Sequence, residues 1–240
     1  MKDQPIVWTI AGSDAGGGAG IQADLLTLHD FGVHGCSVIT AVTAQNSVAI
    51  SHIEPLSVTS VQHQLATLAC DLPAQVIKVG MLANETICQT VGDFLATYDG
   101  PVVVDPVRVA TSGRALLSPS AHLTFIKHII PHTTLLTPNV SEAQQLTQIT
   151  IKDPTSLQQA AQKLLSLGAK HVLITGTHFA EHHSQDIWYG DSHTWRLTQP
   201  WLATQHTHGS GCSLASALSA ALALGYGVAD ALVIANLYVH

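Results

Sequence analysis

The sequence has few charged side chains and no basic block. Only 10% of its 240 residues are Asp, Glu, Lys or Arg, whereas 46% are hydrophobic, so the chain can bury a large core. Lysine and arginine together number nine and are scattered, which argues against a nucleic-acid partner. The apolar run near the N-terminus is too short for a signal peptide or a membrane span, so we expect no membrane partner either.

Paired cysteines are also absent. The sequence contains four cysteines, and none of them forms a C-x-x-C motif. They are Cys36, Cys70, Cys88 and Cys212. Isolated thiols are typical of a reducing compartment, and we therefore predict free cysteines and a cytoplasmic location.

Histidine, by contrast, is abundant, with 15 residues. The densest group comprises His178, His182 and His183, which lie among polar residues. This segment has neither an H-E-x-x-H pattern nor a helix signal, so we interpret it as a solvated loop rather than a metal site.

Short β-rich segments alternate with helical segments along the chain. The predicted strands are residues 6–11, 36–44, 76–79, 102–105, 134–136, 171–175, 186–189 and 194–197. The predicted helices cover 19–31, 58–70, 84–98 and 156–167, with others opening at Ser118-Pro119 and after the loop at 206–211. This alternation predicts β-α-β units in a single domain over residues 1–240, with a largely parallel sheet covered on both faces. Ligands of such sheets bind at the carboxyl ends of the strands.

A glycine-rich segment, AGSDAGGGAG, follows the first predicted strand. It is not a P-loop, because no G-K-[ST] follows, and it does not match G-x-G-x-x-G in register. A tight turn alone needs fewer glycines. We therefore expect the backbone here to approach either a ligand or another chain segment closely.

The segment HTHGSGCSLASALSA, residues 206–220, combines a glycine loop with an uncharged helix. The amides of Gly209, Ser210 and Gly211 can point into one concavity, and the helix adds its positive N-terminal end. Together they would bind a phosphate without a lysine. A buried helix entered by a loop is the alternative, and it leaves the second glycine unexplained.

Cys212 lies at the start of this helix, where the helix end is expected to lower the pKa of a thiol. A thiolate there would be a candidate base. Alternatively, the thiol has no chemical role and only the backbone N–H acts. The sequence does not distinguish the two.

Acidic and amide side chains follow two other strands. Asp105 ends a strand, and Asn139 and Glu142 lie at a strand-to-helix junction. Hard oxygen ligands of this kind suit Mg²⁺ bridging phosphates. The alternative for Glu142 is a first-turn acid that complements the helix dipole.

Six segments, taken in order, resemble the hydroxymethylpyrimidine and phosphomethylpyrimidine kinases of the ribokinase-like superfamily. They are TIAGSDAGGGAGIQADL, GCSVITAVTAQN, KVGML, VVVDPV, LLTPNVSEA and HTHGSGCSLASAL. The resemblance implies a three-layer α/β/α sandwich with a mostly parallel central sheet, often dimeric. It also implies ATP- and Mg²⁺-dependent phosphorylation of 4-amino-5-hydroxymethyl-2-methylpyrimidine, then of its monophosphate, in thiamine biosynthesis.

The resemblance also assigns roles to individual positions. For the pyrimidine it implies Gln45, Asp24, Met81, Gly12 and Gly18. For the nucleotide it implies Asp105, Asn139, Thr175, Thr177, Gly209 and Gly211, with Asp105 and Glu142 at the metal. Gly209, Gly211 and Cys212 would form the catalytic anion hole. Thr175 stands where the family usually has the lysine of Lys-Gly-Gly-His.

Three other functions remain possible from the residues. A pyridoxal-type kinase shares the fold and the cysteine anion hole, although AQN and GML favour the pyrimidine. A non-catalytic pyrimidine-binding relative would fit the missing lysine. A nicotinamide oxidoreductase is disfavoured, because the sequence contains no dinucleotide fingerprint.

Overall fold

The computed structural model of the protein describes residues 4–110, 113–177, 183–190, 193–200 and 208–240, with His183 described through its backbone only. His178, His182, Asp191 and residues 206–207 lie outside these ranges, as does the side chain of His183. Within the described ranges no helix is both long and apolar enough to cross a lipid bilayer.

Nine strands and eight α-helices are described. The strands are β1 (Ile6–Asp14), β2 (His34–Gln45), β3 (Ile50–Pro55), β4 (Val76–Val79), β5 (Val102–Val104), β6 (Leu135–Leu136), β7 (His171–Thr177), β8 (His183–Gly190) and β9 (His193–Pro200). The helices are α1 (Gly20–Asp30), α2 (Val58–Asp71), α3 (Glu85–Leu95), α4 (Ala121–His128), α5 (Val140–Thr147), α6 (Pro154–Ser166), α7 (Ser210–Ala223) and α8 (Val228–Val239).

The strands form one sheet in the order β3-β2-β1-β4-β5-β6-β7-β8-β9. The inner strands from β2 to β7 pair in parallel, whereas β3 at one edge and the β8–β9 hairpin at the other pair antiparallel. The prediction of a mostly parallel sheet is therefore confirmed. All the inner strands end at the same edge, where their following loops meet.

Each face of the sheet has its own hydrophobic core. Along the strands, successive residues point to opposite faces, so Val7 and Val103 join one core while Trp8 and Val104 join the other. The first core packs against α1, α7 and α8, and the second packs against α2 to α6. This arrangement confirms the expected three-layer α/β/α sandwich.

The structure corrects several predicted element boundaries. Helix α4 begins at Ala121 rather than at Ser118-Pro119, because those two residues form a turn whose carbonyls accept from Ala121 and His122. The prediction that Asn84 caps α3 is confirmed, since its side chain accepts from the Ile87 amide. Strand β3 was not predicted at all.

Candidate functional site

A cleft of about 530 Å³ opens along the carboxyl edge of the sheet, where the fold rule predicts a ligand site. Its walls come from the ends of β1, β2, β4, β5 and β7, from the loop before α5, and from the start of α7. The volume lies in the range of small-molecule sites.

The glycine-rich segment after β1 is folded around Asp14. Its carboxylate accepts from the amides of Gly16 and Ala19 at 2.8 and 2.9 Å. Asp14 is itself almost fully buried. The segment is thus a fixed loop that closes one end of the cleft.

The second glycine loop leads into α7 and packs directly on the first. Gly209 has a φ of 80°, and a Cβ at this position would lie 1.9 Å from the Gly18 carbonyl oxygen. Only glycine combines this left-handed backbone with so close an approach. The two loops therefore fix each other.

The first turn of α7 presents unpaired amides to the cleft. The Ser213 amide donates to the Gly209 carbonyl at 2.9 Å, whereas those of Gly211 and Cys212 have no acceptor within the described chain. The turn contains no acidic side chain. Free amides at the positive end of a fourteen-residue helix form an anion-binding site.

Cys212 differs from the sequence-based expectation. Burial raises the pKa of its thiol to about 12, although nearby Lys78 acts in the opposite direction. Asp24 and Asp105 add to the increase. Desolvation therefore outweighs the helix end, and in the unliganded protein the sulfur is protonated at neutral pH.

Asp105 and Glu142 form an acidic pair on the floor of the cleft, with exposed fractions of 5% and 7%. Burial raises the pKa of both carboxyls. The negative charge of Asp105 raises that of Glu142 further. Each carboxylate is thus held near another negative group without full compensation, which favours a cation between them.

Glu142 also has the structural role that the sequence left open. It accepts from the Asn139 amide at 2.9 Å, while the Asn139 side chain accepts from the Glu142 amide, forming a capping box on α5. Both residues line the cleft as well. Capping therefore fixes a carboxylate that remains directed to the site.

The donor set fits Mg²⁺ better than a transition metal. The described residues contain no cluster of three or more His, Cys, Asp or Glu side chains suited to a metal. Two carboxylates are the usual protein contribution to a Mg²⁺ ion that also keeps water and phosphate ligands. Magnesium binding at Asp105 and Glu142 stays a prediction.

At the other end of the cleft, His208 connects the two loops to Gln45. Its Nε2 atom lies 3.1 Å from both the Gln45 amide nitrogen and the Asp14 carboxylate. One ring nitrogen cannot donate to the carboxylate and accept from the amide at once, so only one contact is a full hydrogen bond at a time. The Gln45 amide thus keeps hydrogen-bonding capacity for a ligand.

Most of the predicted site residues line this cleft. They are Gly12, Gln45, Met81, Asp105, Asn139, Glu142, Thr175, Gly209, Gly211 and Cys212. Their roles toward substrate, nucleotide or metal stay predictions.

Three predicted residues are placed elsewhere. Asp24 is fully buried behind the wall, where Lys78 occupies both of its carboxylate oxygens, so it has no surface to offer a pyrimidine. Thr177 is also fully buried and donates its hydroxyl to the Gln185 carbonyl. Gly18 lies beneath the His208 ring at the rim instead of on the wall.

Sequence reasoning missed Lys78, His208 and the organising role of Asp14. Lys78 stands within an apolar strand, and a charged residue in a buried run is a signal that could have been used. His208 directly precedes the anion loop, so its position in the motif was the available signal.

Fold and site together define an α/β/α protein with a small-molecule cleft onto which the free amides of a helix N-terminus open. Residues 14–240 match the sequence family described as Phosphomethylpyrimidine kinase. The chain is 44% identical to the hydroxymethylpyrimidine/phosphomethylpyrimidine kinase of Streptomyces coelicolor, over 98% of this chain and 87% of that protein. The chain belongs to the phosphomethylpyrimidine kinase family.

Solved structures agree with this assignment. A phosphomethylpyrimidine kinase from Clostridium difficile 630 superposes with a TM-score of 0.87 at 35% identity, covering 98% of each chain. Pyridoxal kinase from Staphylococcus aureus, in complex with AMP-PCP and pyridoxal, gives 0.89 at 32% identity, over 98% of this chain and 86% of that one. The fold is thus shared by kinases for two different aromatic alcohols.

Replacing Gly209 with alanine tests the contact between the loops. Gly209→Ala should lower the thermal midpoint and weaken ADP binding, because its Cβ collides with the Gly18 carbonyl. Gly225→Ala is the matched control, since Gly225 has a φ of 90° at the other end of α7 with nothing within 4 Å. Both variants bear a left-handed strain of about 1–2 kcal/mol, so only the clash differs. Equal ADP affinity in the two, by calorimetry, would contradict the packed-loop interpretation.

Replacing Asp105 tests the electrostatics of the acidic pair. Both folded-state pKa values are raised, so the folded protein retains protons that the unfolded chain releases, and stability should fall as pH rises through this range. With a chelator present, the stability of Asp105→Asn should change less with pH between about pH 5 and 8 than that of the parent. At the upper end of this range the variant should be the more stable of the two. A gain of about 1 kcal/mol would appear as roughly 2–4 °C in Tm.

The exposed Asp93→Asn variant is the control and should keep the parent slope. Adding Mg²⁺ at the upper pH should stabilise the parent and not Asp105→Asn. Identical pH slopes for the parent and Asp105→Asn would contradict the proposed repulsion.

Proposed function

We propose that this protein is a kinase that transfers the γ-phosphoryl group of ATP to 4-amino-5-hydroxymethyl-2-methylpyrimidine and then to its monophosphate. The observation that carries the proposal is the pair of free amides at Gly211 and Cys212, which face the cleft beside the Asp105–Glu142 pair. Phosphoryl transfer requires positioning and charge stabilisation more than covalent participation, and this arrangement supplies both.

The proposed pyrimidine site lies between β1, β2 and β4. Gln45 would hydrogen-bond the aminopyrimidine, and the ring would lie near Gly12 and Met81. These two residues are in close contact, since a Cβ on Gly12 would be 2.9 Å from the Met81 sulfur. A flat ring fits such a surface because neither residue projects a rigid side chain into it.

The proposed phosphate site lies at the start of α7. The amides of Gly211 and Cys212 would donate to the transferring group, and a Mg²⁺ bound by Asp105 and Glu142 would supply further charge neutralisation. Thr175 and Asn139 would border the nucleotide, since β7 and the loop before α5 adjoin through a bridge between these two residues. The raised pKa of Cys212 favours a protonated thiol over a preformed thiolate.

We further propose that residues 1–240 act as one domain in a cytoplasmic homodimer. All four cysteines are free thiols, as a reducing compartment requires. Leu26 on α1 and Leu237 on α8 are 63% and 67% exposed, which favours burial against a second subunit. Light scattering at assay concentrations would show a monomer if the dimer proposal is wrong.

A coupled assay of ADP release with Mg²⁺ tests the function. We expect turnover with hydroxymethylpyrimidine and with its monophosphate, and less with pyridoxal. Gln45→Ala should raise the KM for the pyrimidine, because it removes the proposed hydrogen bonds. Preference for pyridoxal would support the vitamin B6 kinase alternative. No turnover with any of the three, together with tight pyrimidine binding, would support a non-catalytic binding protein.

Cys212→Ala tests whether the thiol takes part in the reaction. We expect kcat to fall by about 10²-fold, with KM for the alcohol changing much less, if the sulfur acts in proton transfer. Cys70→Ala is the control, since Cys70 is an exposed free thiol. If kcat were unchanged in Cys212→Ala, the thiol would have no role in the reaction, and only the backbone amide at this position would act.

A further inference from the structure

Lys78 is a fully buried charge in a strand whose other residues are all apolar. It lies on β4 opposite Thr9 of β1, and the next residue on the same face of β4, Val76, belongs to the core under α1 and α7. A buried lysine is rare unless it is paired. Lys78 is also the third residue of a four-residue strand, close to the edge where the cleft opens.

The partner of Lys78 is Asp24 of α1. The ammonium donates to both carboxylate oxygens at 2.9 and 2.8 Å. Thr9 and Ser216 donate to the same carboxylate at 2.5 and 2.8 Å. Asp24 is therefore saturated with donors, whereas no third acceptor for the ammonium occurs in the described structure.

The ammonium end of Lys78 points toward the cleft. A Cβ on Gly80 would lie 2.9 Å from the Lys78 nitrogen, so the side chain runs over Gly80 toward the carboxyl end of β4. Lys78 is part of the cleft wall, while Asp24 is not. The ion pair thus acts as a fixed dipole whose positive end faces the site.

The cleft is short of positive charge. Among the described residues that line it, Lys78 is the only lysine or arginine, against four carboxylates: Asp14, Asp105, Glu142 and Asp186. Burial is the largest single influence on the pKa of Lys78 and lowers it, but the negative charges of Asp24 and Asp105 and the hydrogen bond to Asp24 act together to raise the pKa above its usual value. The ammonium therefore stays charged.

We propose that Lys78 is a positioning residue of the phosphoryl-transfer site, whose ammonium is fixed by Asp24 and extended over Gly80 beneath Cys212 and Asp105. The positive charge of Lys78 adds, from below, to that of the free amides of α7. Together they stabilise the negative charge on the transferring group. The inference rests on the proposed kinase function. It predicts an effect on kcat and on anion binding, and little effect on binding of the neutral alcohol.

Two variants test the charge separately from the fold. Lys78→Met with Asp24→Asn removes one charge of each sign, so no unpaired ion is left buried. Gly80→Ala keeps both charges; its Cβ would lie 2.9 Å from the Lys78 nitrogen and 3.2 Å from the Ala11 Cβ, so the flexible end of Lys78 is the group that must move most. The double variant should lose about 10²-fold in kcat with KM for the alcohol within about threefold. Gly80→Ala should change kcat in the same direction by a smaller factor.

Controls and a second measurement separate this inference from the function itself. Lys170→Met combined with Asp99→Asn, which removes two exposed charges of opposite sign, and Gly227→Ala at an open position should match the parent. Binding of inorganic phosphate, followed by ³¹P line broadening, should weaken in both test variants even if no alcohol is turned over.

If the parent shows no turnover, the kinase proposal fails, and the phosphate measurement still decides the role of Lys78. Folded test variants with parent-like phosphate binding, or with kcat within about threefold of an active parent, would overturn the inference. If the double variant does not fold, Gly80→Ala decides alone.

Discussion

The ion pair between Lys78 and Asp24 is the interaction on which the rest of the site depends. Through Thr9 and Ser216 it joins β1, β4, α1 and α7 in one buried hydrogen-bond network. A buried pair of this kind gains little stability over apolar residues, but removing one partner leaves an uncompensated charge. Its position under the α7 entry indicates that it specifies how that helix docks, since many apolar arrangements could fill the same space.

Helix α7 can dock so closely because its inward face is built from small residues. Ala215, Ser216, Ala217 and Ser219 are fully buried, and Ser219 returns its hydroxyl to the Ala215 carbonyl. Small side chains bring the helix axis near the sheet, which places the first turn above the strand ends. The same approach requires Gly209 where the two loops touch. The close approach of α7 to the sheet therefore explains both the small residues in the body of the helix and the glycine in the loop before it.

Several of the parallel strands were predictable from sequence because they are short apolar runs that end at or just before a polar residue, as in β1, which ends at Asp14, and β5, which Asp105 follows. Strand β3 was not, since its sequence ISHIEP is mostly exposed and lacks a hydrophobic pattern. The motifs contain the two glycine loops that the structure places at the cleft. The orientation of individual side chains was less accessible. Asp24 lies in a matching motif and Thr177 in the segment that stands where the family has Lys-Gly-Gly-His, yet both side chains point away from the cleft.

The pKa of Cys212 shows why local sequence was insufficient for the chemistry. A position in the first turn of a helix predicts a lowered value, and the sequence contains that information. The opposing effect is desolvation in the folded protein, and the charges that also act on the thiol, those of Asp24, Lys78 and Asp105, are far away in the chain. Only the folded arrangement decides which effect on the pKa is larger. In this protein, burial has the larger effect on the pKa of Cys212.

Selectivity between a pyrimidine and a pyridine alcohol must reside in a few side chains of the cleft. Kinases for both ring types superpose on this chain with TM-scores of 0.87 and 0.89, so the fold does not distinguish them. The two rings differ in the hydrogen-bonding groups at their edges, and a site rejects an analogue most strongly when a buried polar group is left unpaired. Gln45 is a half-buried polar group of the cleft wall, and the partner of its amide nitrogen, His208, is shared with Asp14. We therefore propose that the amide of Gln45, rather than the shape of the cleft, favours an aminopyrimidine.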